Sequence, residues 1–369
     1  MRFDIEDKEE REEKRRREDK RRANLILIFF VVIGAIVLLI TVLIVRSISQ
    51  RNQTPAPTST PPTTITPSAP PIEQKKLTVF DEDSSERPIA VMIDNAIGDA
   101  KHAGLQDSYL NYEILVEGGI TRIMSIYKDK DVSLIGPIRS SRHYFLDYAL
   151  ESDAIYVHYG WSPYAEQDEK AMNINSVNGL TDPDPFRRDT NAVAPHNVFT
   201  KMVYIKNFLG STNYSQYSNN WQLLNYSVDP ITLEETGYTP KVANRITIPY
   251  SANETRTYNY DANNQYYMRV TNGKAQIDRR SNEQLHYKNI IIERVDYEVI
   301  DGEGRLNLNT TGTGTGYIIT NGAFLPIRWS KSSRTAKTTY TYENGNEVQV
   351  NDGNTFIQIV PTNCNITIE

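Results

Sequence analysis

Between Asn24 and Val45 the chain reads NLILIFFVVIGAIVLLITVLIV, a run with no charge and no polar face. At about 1.5 Å per residue a helix of this length crosses about 30 Å of hydrocarbon. Core helices keep a polar stripe, so the run reads as a transmembrane helix and not as part of a packed domain. The basic block EKRRREDKRR precedes it, whereas only Arg46 and Arg51 follow closely. Lys and Arg hold their side of a span in the cytoplasm. The expected topology is a single pass, with the N-terminus cytoplasmic and the bulk of the chain extracytoplasmic. No A-x-A-like cleavage site follows, which favours a retained signal anchor over a removed signal peptide.

The remaining organisation follows from composition along the chain. Residues 1–23 form a charged cytoplasmic tail. Residues 46–76 contain TPAPTSTPPTTITPSAPP, whose prolines and small polar residues cannot build a core. They are expected to form an extended stalk. Two segments follow, an α/β domain over 77–220 and a mostly antiparallel β domain over 221–369. The formal net charge of −6 offers no basic field for nucleic acid, and no nucleic-acid partner is expected. The only cysteine is Cys364, so an intrachain disulfide and a cysteine-rich zinc site are both impossible.

In the first segment RPIAVMID reads as a buried strand ending at Asp94. YLNYEILVEGGITRIMSIY reads as two strands around Gly118-Gly119. SSRHYFLDYALES has helical spacing, with Ser140 or Ser141 as the expected N-cap. AIYVHYG is a further strand, SPYAEQDEKAMN opens as a helix at Ser-Pro, and NVFTKMVYIKNFL is a helix with Thr200 as a candidate cap. In the second segment five turn dipeptides punctuate β-rich runs: Asn272-Gly273, Asp301-Gly302, Asn321-Gly322, Asn344-Gly345 and Asp352-Gly353. TGTGTGYIITNG resembles a nucleotide loop, but Gly316 leads into Tyr317-Ile318-Ile319 and not into a helix, so it reads as a glycine-rich strand.

Two polar clusters could carry chemistry. Arg139 and Arg142 flank two serines at a helix start, where free N–H groups and two guanidiniums would suit a phosphate or carboxylate. The competing reading is internal ion pairing with Asp94, Glu113 or Glu117. The second cluster is FRRDTNAVAPHNVFT, a polar loop carrying His196 and Asn197. His158 and His196 lack metal-ligand spacing, so no metal and no cofactor are expected. There is no G-x-S-x-G and no thiol in a nucleophilic setting, which leaves acid–base chemistry through Asp94, Glu113, Glu117, His158 or His196 as the enzymatic route. Glu113 and Glu117 share strand parity, weak support for a glycosidase-like pair.

RPIAVMIDN, YEILVEGGITRIMSIY, IGPIRSSRHYFLDYALESDAIYVHYGWSP and FRRDTNAVAPHNVFT occur in that order. Together they closely resemble the N-terminal domain of the YerB-like family of bacterial surface proteins, a domain of unknown function. NGKAQIDRRSNEQLHYKNIIIERV, DGEGRLNL, GTGTGYIITNG and NTFIQIVP are similar to that family's C-terminal domain. The resemblance implies a mixed, layered α/β fold and a protein facing outward from a Gram-positive cell, where members are typically held as lipoproteins. This chain has no cysteine at the end of its apolar run, so a helix would replace the lipid. The motif positions on this chain are Asp94, Asn95, Glu113, Glu117, Arg122, Arg139, Ser140, Arg142, His158, His196 and Asn197, and the family assigns them no roles. The expectation is an outward-facing polar pocket that binds an anionic cell-wall component or an envelope protein partner. The alternatives are an envelope hydrolase or transferase using the same residues, and an assembly factor working through the β-rich half.

Overall fold

The computed structural model describes residues 75–95 and 102–369. The expected tail, the apolar span and the stalk up to residue 74 lie outside the described residues. Among the described residues no helix is long and apolar enough to cross a membrane.

Strands β1 (Ile89–Asp94), β2 (Leu110–Leu115) and β3 (Thr121–Tyr127) are buried along their whole length. Their near-continuous apolar runs suit strands covered on both faces. β2 and β3 pair antiparallel, and the turn between them places Gly118 and Gly119 at φ of 73° and 70°. Side chains other than glycine rarely adopt that region. Across β1 and β3, Asp94 lies opposite Arg122. β4 (Ile155–His158) runs parallel to β1, and β5 (Ser176–Asn178) runs parallel to β4. The antiparallel pair β6 (Phe186–Arg188) and β7 (Val198–Thr200) carries the second polar loop at its tip.

Helix α1 (His143–Glu151) connects β3 to β4, and α2 (Pro163–Ala171) connects β4 to β5. The α2 start is as expected, with the Ser162 side chain accepting from the Ala165 N–H and Pro163 in the first turn. The other two caps differ from expectation. Arg142, not a serine, caps α1, and it makes no side-chain cap. Ser140 Oγ donates to the Tyr159 carbonyl, and Ser141 Oγ accepts from Tyr156 Oη, so both hydroxyls are already engaged. Helix α3 (Met202–Leu209) is capped by Lys201, because the ladder between β6 and β7 holds Thr200 in a strand.

The second segment supplies β8 (Arg245–Ser251), β9 (Glu254–Asp261), β10 (Tyr266–Thr271), β11 (Asn289–Val295), β12 (Gly312–Thr320), β13 (Ala323–Lys331), β14 (Thr339–Thr341) and β15 (Thr355–Pro361). GTGTGYIIT is a strand, as its lead into isoleucines required. Asn321 and Gly322 have φ of 50° and 77° in the tight turn joining β12 and β13. Four of the five turn dipeptides close hairpin-like pairings. The fifth, Asp352-Gly353, does not: the Gln349–Asn351 strand pairs with Asn225–Ser227, while β15 joins the main sheet.

That main sheet has 11 strands in the order β14-β13-β12-β11-β15-β2-β3-β1-β4-β5, with the short Lys241–Val242 strand added to β13. It continues across the boundary expected at 220/221, because β15 is parallel both to β11 and to β2. The 6-stranded sheet built on β8, β9 and β10 forms a separate layer. Alternation along β2 shows how the layers stack. Tyr112 points to α1, its hydroxyl donating to Glu151 at 3.1 Å, whereas Glu113 points the other way, to Arg256 and Arg269 of the second sheet. Phe356 of β15 meets Tyr258 of β9 on that same side, with ring centroids 6.2 Å apart.

Candidate functional site

The polar residues gather at the carboxyl ends of β1 and β4, where open α/β sheets usually offer their binding crevice. Asp94 is the last residue of β1 and is fully buried. Its carboxylate Oδ2 accepts from His196 Nδ1 at 2.5 Å and stands 3.3 Å from Arg139 Nε. The Arg139 contact is an ion pair without hydrogen-bond alignment, and Nε makes no hydrogen bond. Arg139 is strapped between two strands: its N–H donates to the Met92 carbonyl and its carbonyl accepts from the Tyr159 N–H, both at 3.0 Å. The backbone therefore fixes where the guanidinium starts. Its two amino groups make no hydrogen bond among the described residues, and 20% of the side chain is exposed.

His196 sits in the loop between β6 and β7. The Asp189 N–H donates to the Asn197 carbonyl at 2.7 Å, and the Asn197 amide donates to the carbonyls of Asp189 and Ala192. Asn197 Oδ1 accepts from Arg188 at 2.8 Å, and Arg279 pairs with Asp189 at 2.6 Å. With Nδ1 donating to Asp94, His196 presents Nε2 outward on a side chain that is 27% exposed. An imidazole oriented in this way by a carboxylate can take up or release a proton, or donate to an anion once protonated.

Behind this surface lies a closed charged seam. Glu113 accepts from Arg256 Nε at 2.6 Å, Arg269 Nη2 at 2.6 Å, Thr121 at 2.7 Å and Asn95 at 2.8 Å. Burial alone would raise its pKa, but the two guanidiniums and these donors bring it down to about 2. His102 donates through Nε2 to the Asp94 carbonyl at 2.5 Å and accepts at Nδ1 from Gln276. Burial lowers its pKa, which fits this neutral tautomer. Gln276 in turn accepts from Arg269, so the seam runs without a break from Asp94 to Glu113.

The remaining candidates lie elsewhere. Glu117 is clamped by Arg142 through both carboxylate oxygens, and Arg122 stands 3.7 Å from it while donating to the Ser140 carbonyl at 2.6 Å. Burial would raise the Glu117 pKa, and Arg142 with Arg122 lowers it to about 2. The expected anion site at the start of α1 is thus filled internally, because Arg142 is bound to Glu117 and to the Ser141 carbonyl. Glu113 and Glu117 do not face each other: the Glu117–Gly119 3-10 turn ends the strand before parity can carry Glu117 to the same side. His158 is fully buried, between the Gly160 carbonyl at 2.8 Å and Glu169 at 3.1 Å. Of the residues expected to form the outward-facing pocket, Arg139 and His196 come together at Asp94, while Arg142 and His158 do not join them. Among the described residues no group of three His, Cys, Asp or Glu side chains is placed to hold a metal ion.

Sequence reasoning missed His102, Arg256 and Arg269. A signal existed for Arg269, which shares strand parity with the buried Tyr267 two residues earlier and must therefore point inward. His102 carried no such signal.

The chain thus combines a mixed α/β sheet, a buried charged seam and an Arg139–His196 cluster held at Asp94. The family model described as "Protein of unknown function (DUF3048) N-terminal domain" matches residues 77–216, and the model of its C-terminal domain matches 246–357. The chain belongs to this family, the YerB-like proteins. It is 28% identical over 291 residues to "Putative lipoprotein YerB" of Bacillus subtilis, covering 75% of this chain and 82% of that protein. The crystal structure of Bacillus subtilis YerB matches with a TM-score of 0.67 at 27% identity, covering 76% of this chain and 94% of that one.

Proposed function

We propose that the chain is a membrane-held extracytoplasmic protein that captures an anionic group of the cell envelope, such as a wall-polymer phosphate or carboxylate, through Arg139 and His196. The observation that carries this reading is their meeting at one oxygen of Asp94, with both Arg139 amino groups and His196 Nε2 left uncommitted among the described residues. A charge-assisted hydrogen bond of this type contributes about 1.5–3 kcal/mol. The surface placement rests on the apolar run and on the similarity to a protein described as a lipoprotein. The test is equilibrium binding of the detergent-solubilised full chain to a glycerol-phosphate polymer. Arg139→Ala is expected to weaken it; unchanged affinity would remove the proposal.

A second reading, an envelope hydrolase or transferase, draws on the same hydrogen bond. Asp94 holds His196 as a general base is held, with Nε2 free to accept a proton. Incubation with purified wall fragments followed by mass analysis separates the two. Product that disappears in His196→Ala favours catalysis, and binding without turnover favours capture.

A further inference from the structure

A groove of about 410 Å³ lies far along the chain from Asp94, walled by Asn225, Ile231, Thr232, Glu235, Thr236, Tyr342, Asn346, Glu347 and Gln349. Small-molecule sites span roughly 300–1,000 Å³. We infer that this groove is a binding site for a non-anionic saccharide.

The walls are tied together before any ligand arrives. Gln349 lies opposite Asn225 in a parallel ladder. The Ile231 N–H donates to Asn351 Oδ1 at 2.9 Å, and its carbonyl accepts from the amides of Asn351 and Asn321. The Asn344 N–H donates to Tyr238 Oη at 2.8 Å, joining the turn after Thr232 to the β14 hairpin. Thr232 and Glu235 lock that turn as a reciprocal capping box.

The lining chemistry selects the ligand. The side chains of Asn225, Asn346, Glu347 and Gln349 make no hydrogen bond among the described residues. Three primary amides each offer both donors and an acceptor, and the carboxylates only accept. That mixture matches hydroxyl groups, which donate and accept at the same atom. Ile231 and Tyr342 supply apolar wall for the C–H faces of a sugar ring, with Tyr342 backed by Tyr238 at 6.0 Å. No Lys, Arg or His lines the groove, while Glu235 and Glu347 do, so acidic sugars are repelled. Five of the nine lining residues fall between 217 and 245, outside both matched family segments.

The test is calorimetric titration of the solubilised full chain with the N-acetylglucosamine trimer, with trigalacturonate as the acidic counterpart. The trimer is expected to bind and the acidic sugar not. Asn346→Ala combined with Gln349→Ala, both exposed positions, should weaken the trimer about tenfold or more, about 1.4 kcal/mol or more. Arg139→Ala should leave trimer binding unchanged, which keeps this site separate from the anion site. Absence of trimer binding by the unaltered chain, equal binding of trigalacturonate, or full affinity in the double variant would each overturn the assignment.

Discussion

Glu113 of β2 and Arg269 of β10 meet at 2.6 Å with neither side chain exposed, although 156 positions separate them in sequence. Arg256 closes on the same carboxylate from the neighbouring strand. A buried pair of this kind adds little over an apolar isostere, but breaking it strands a charge. Glu113→Ala should therefore cost about 3–5 kcal/mol, read by urea denaturation of the full chain. A loss below 1 kcal/mol would mean that water reaches the seam.

Arg139→Ala should behave in the opposite way. Its amino groups have no described partner and His196 still holds the Asp94 carboxylate, so the melting temperature should fall less than in Glu113→Ala, while affinity for a phosphate polymer falls about tenfold or more. A large melting shift with intact binding would return Arg139 to a purely structural role.

Acid should test Glu113 and Glu117 together. Both have folded pKa values of about 2 against an ordinary 4.5. Their stabilisation is fully present above about pH 4.5 and is lost as the pH falls towards 2. The Glu113→Gln variant should show a shallower stability loss across that window than the unaltered chain. Parallel acid profiles would contradict the assignment.

Alkali should test Glu293 of β11. Burial, and then the charge of Glu151, raise its pKa to about 8, although Tyr340 and Tyr148 donate to it. Because the folded value exceeds the unfolded one, this carboxyl's contribution is full below about pH 4.5 and lost as the pH rises through 8. Glu293→Gln should gain stability relative to the unaltered chain between pH 6 and 9. A constant difference across that range would show that Glu293 does not titrate there.

Cys364 is the single, buried thiol, and its Sγ faces the Pro249 carbonyl at 3.1 Å. Reducing agent should leave the melting temperature unchanged, and a thiol reagent should react only on unfolding. Rapid labelling of the native protein would indicate local opening there.

What the sequence made legible was local. β1 to β4, the α2 cap and four of the turn dipeptides depend on residues within a few positions of one another, and hydrophobic period and turn chemistry report them. The seam was not legible, because Glu113 chooses partners 143 and 156 positions away and nothing near it in sequence names them. The caps of α1 and α3 failed for a related reason: Ser140 and Ser141 are claimed by Tyr159 and Tyr156 from β4 and its end, a tertiary competition that capping statistics do not contain. Arg139 and His196 were legible as residue types at a helix start and in a polar loop. Pairing of Arg139 with Asp94 was among the expected alternatives, and the structure has it; that His196, 102 positions on, shares the same carboxylate oxygen was not legible.

β15 occupies the middle of the main sheet, yet in chain order it follows every other strand of that sheet. The chain therefore completes β2 and β11 long before the strand that joins them. Until residue 361 is in place, β2 and β11 each keep one unpaired edge. The topology thus acts as a timer: the two halves of the sheet are joined only by the last of its strands, so closure of the sheet belongs to the end of folding.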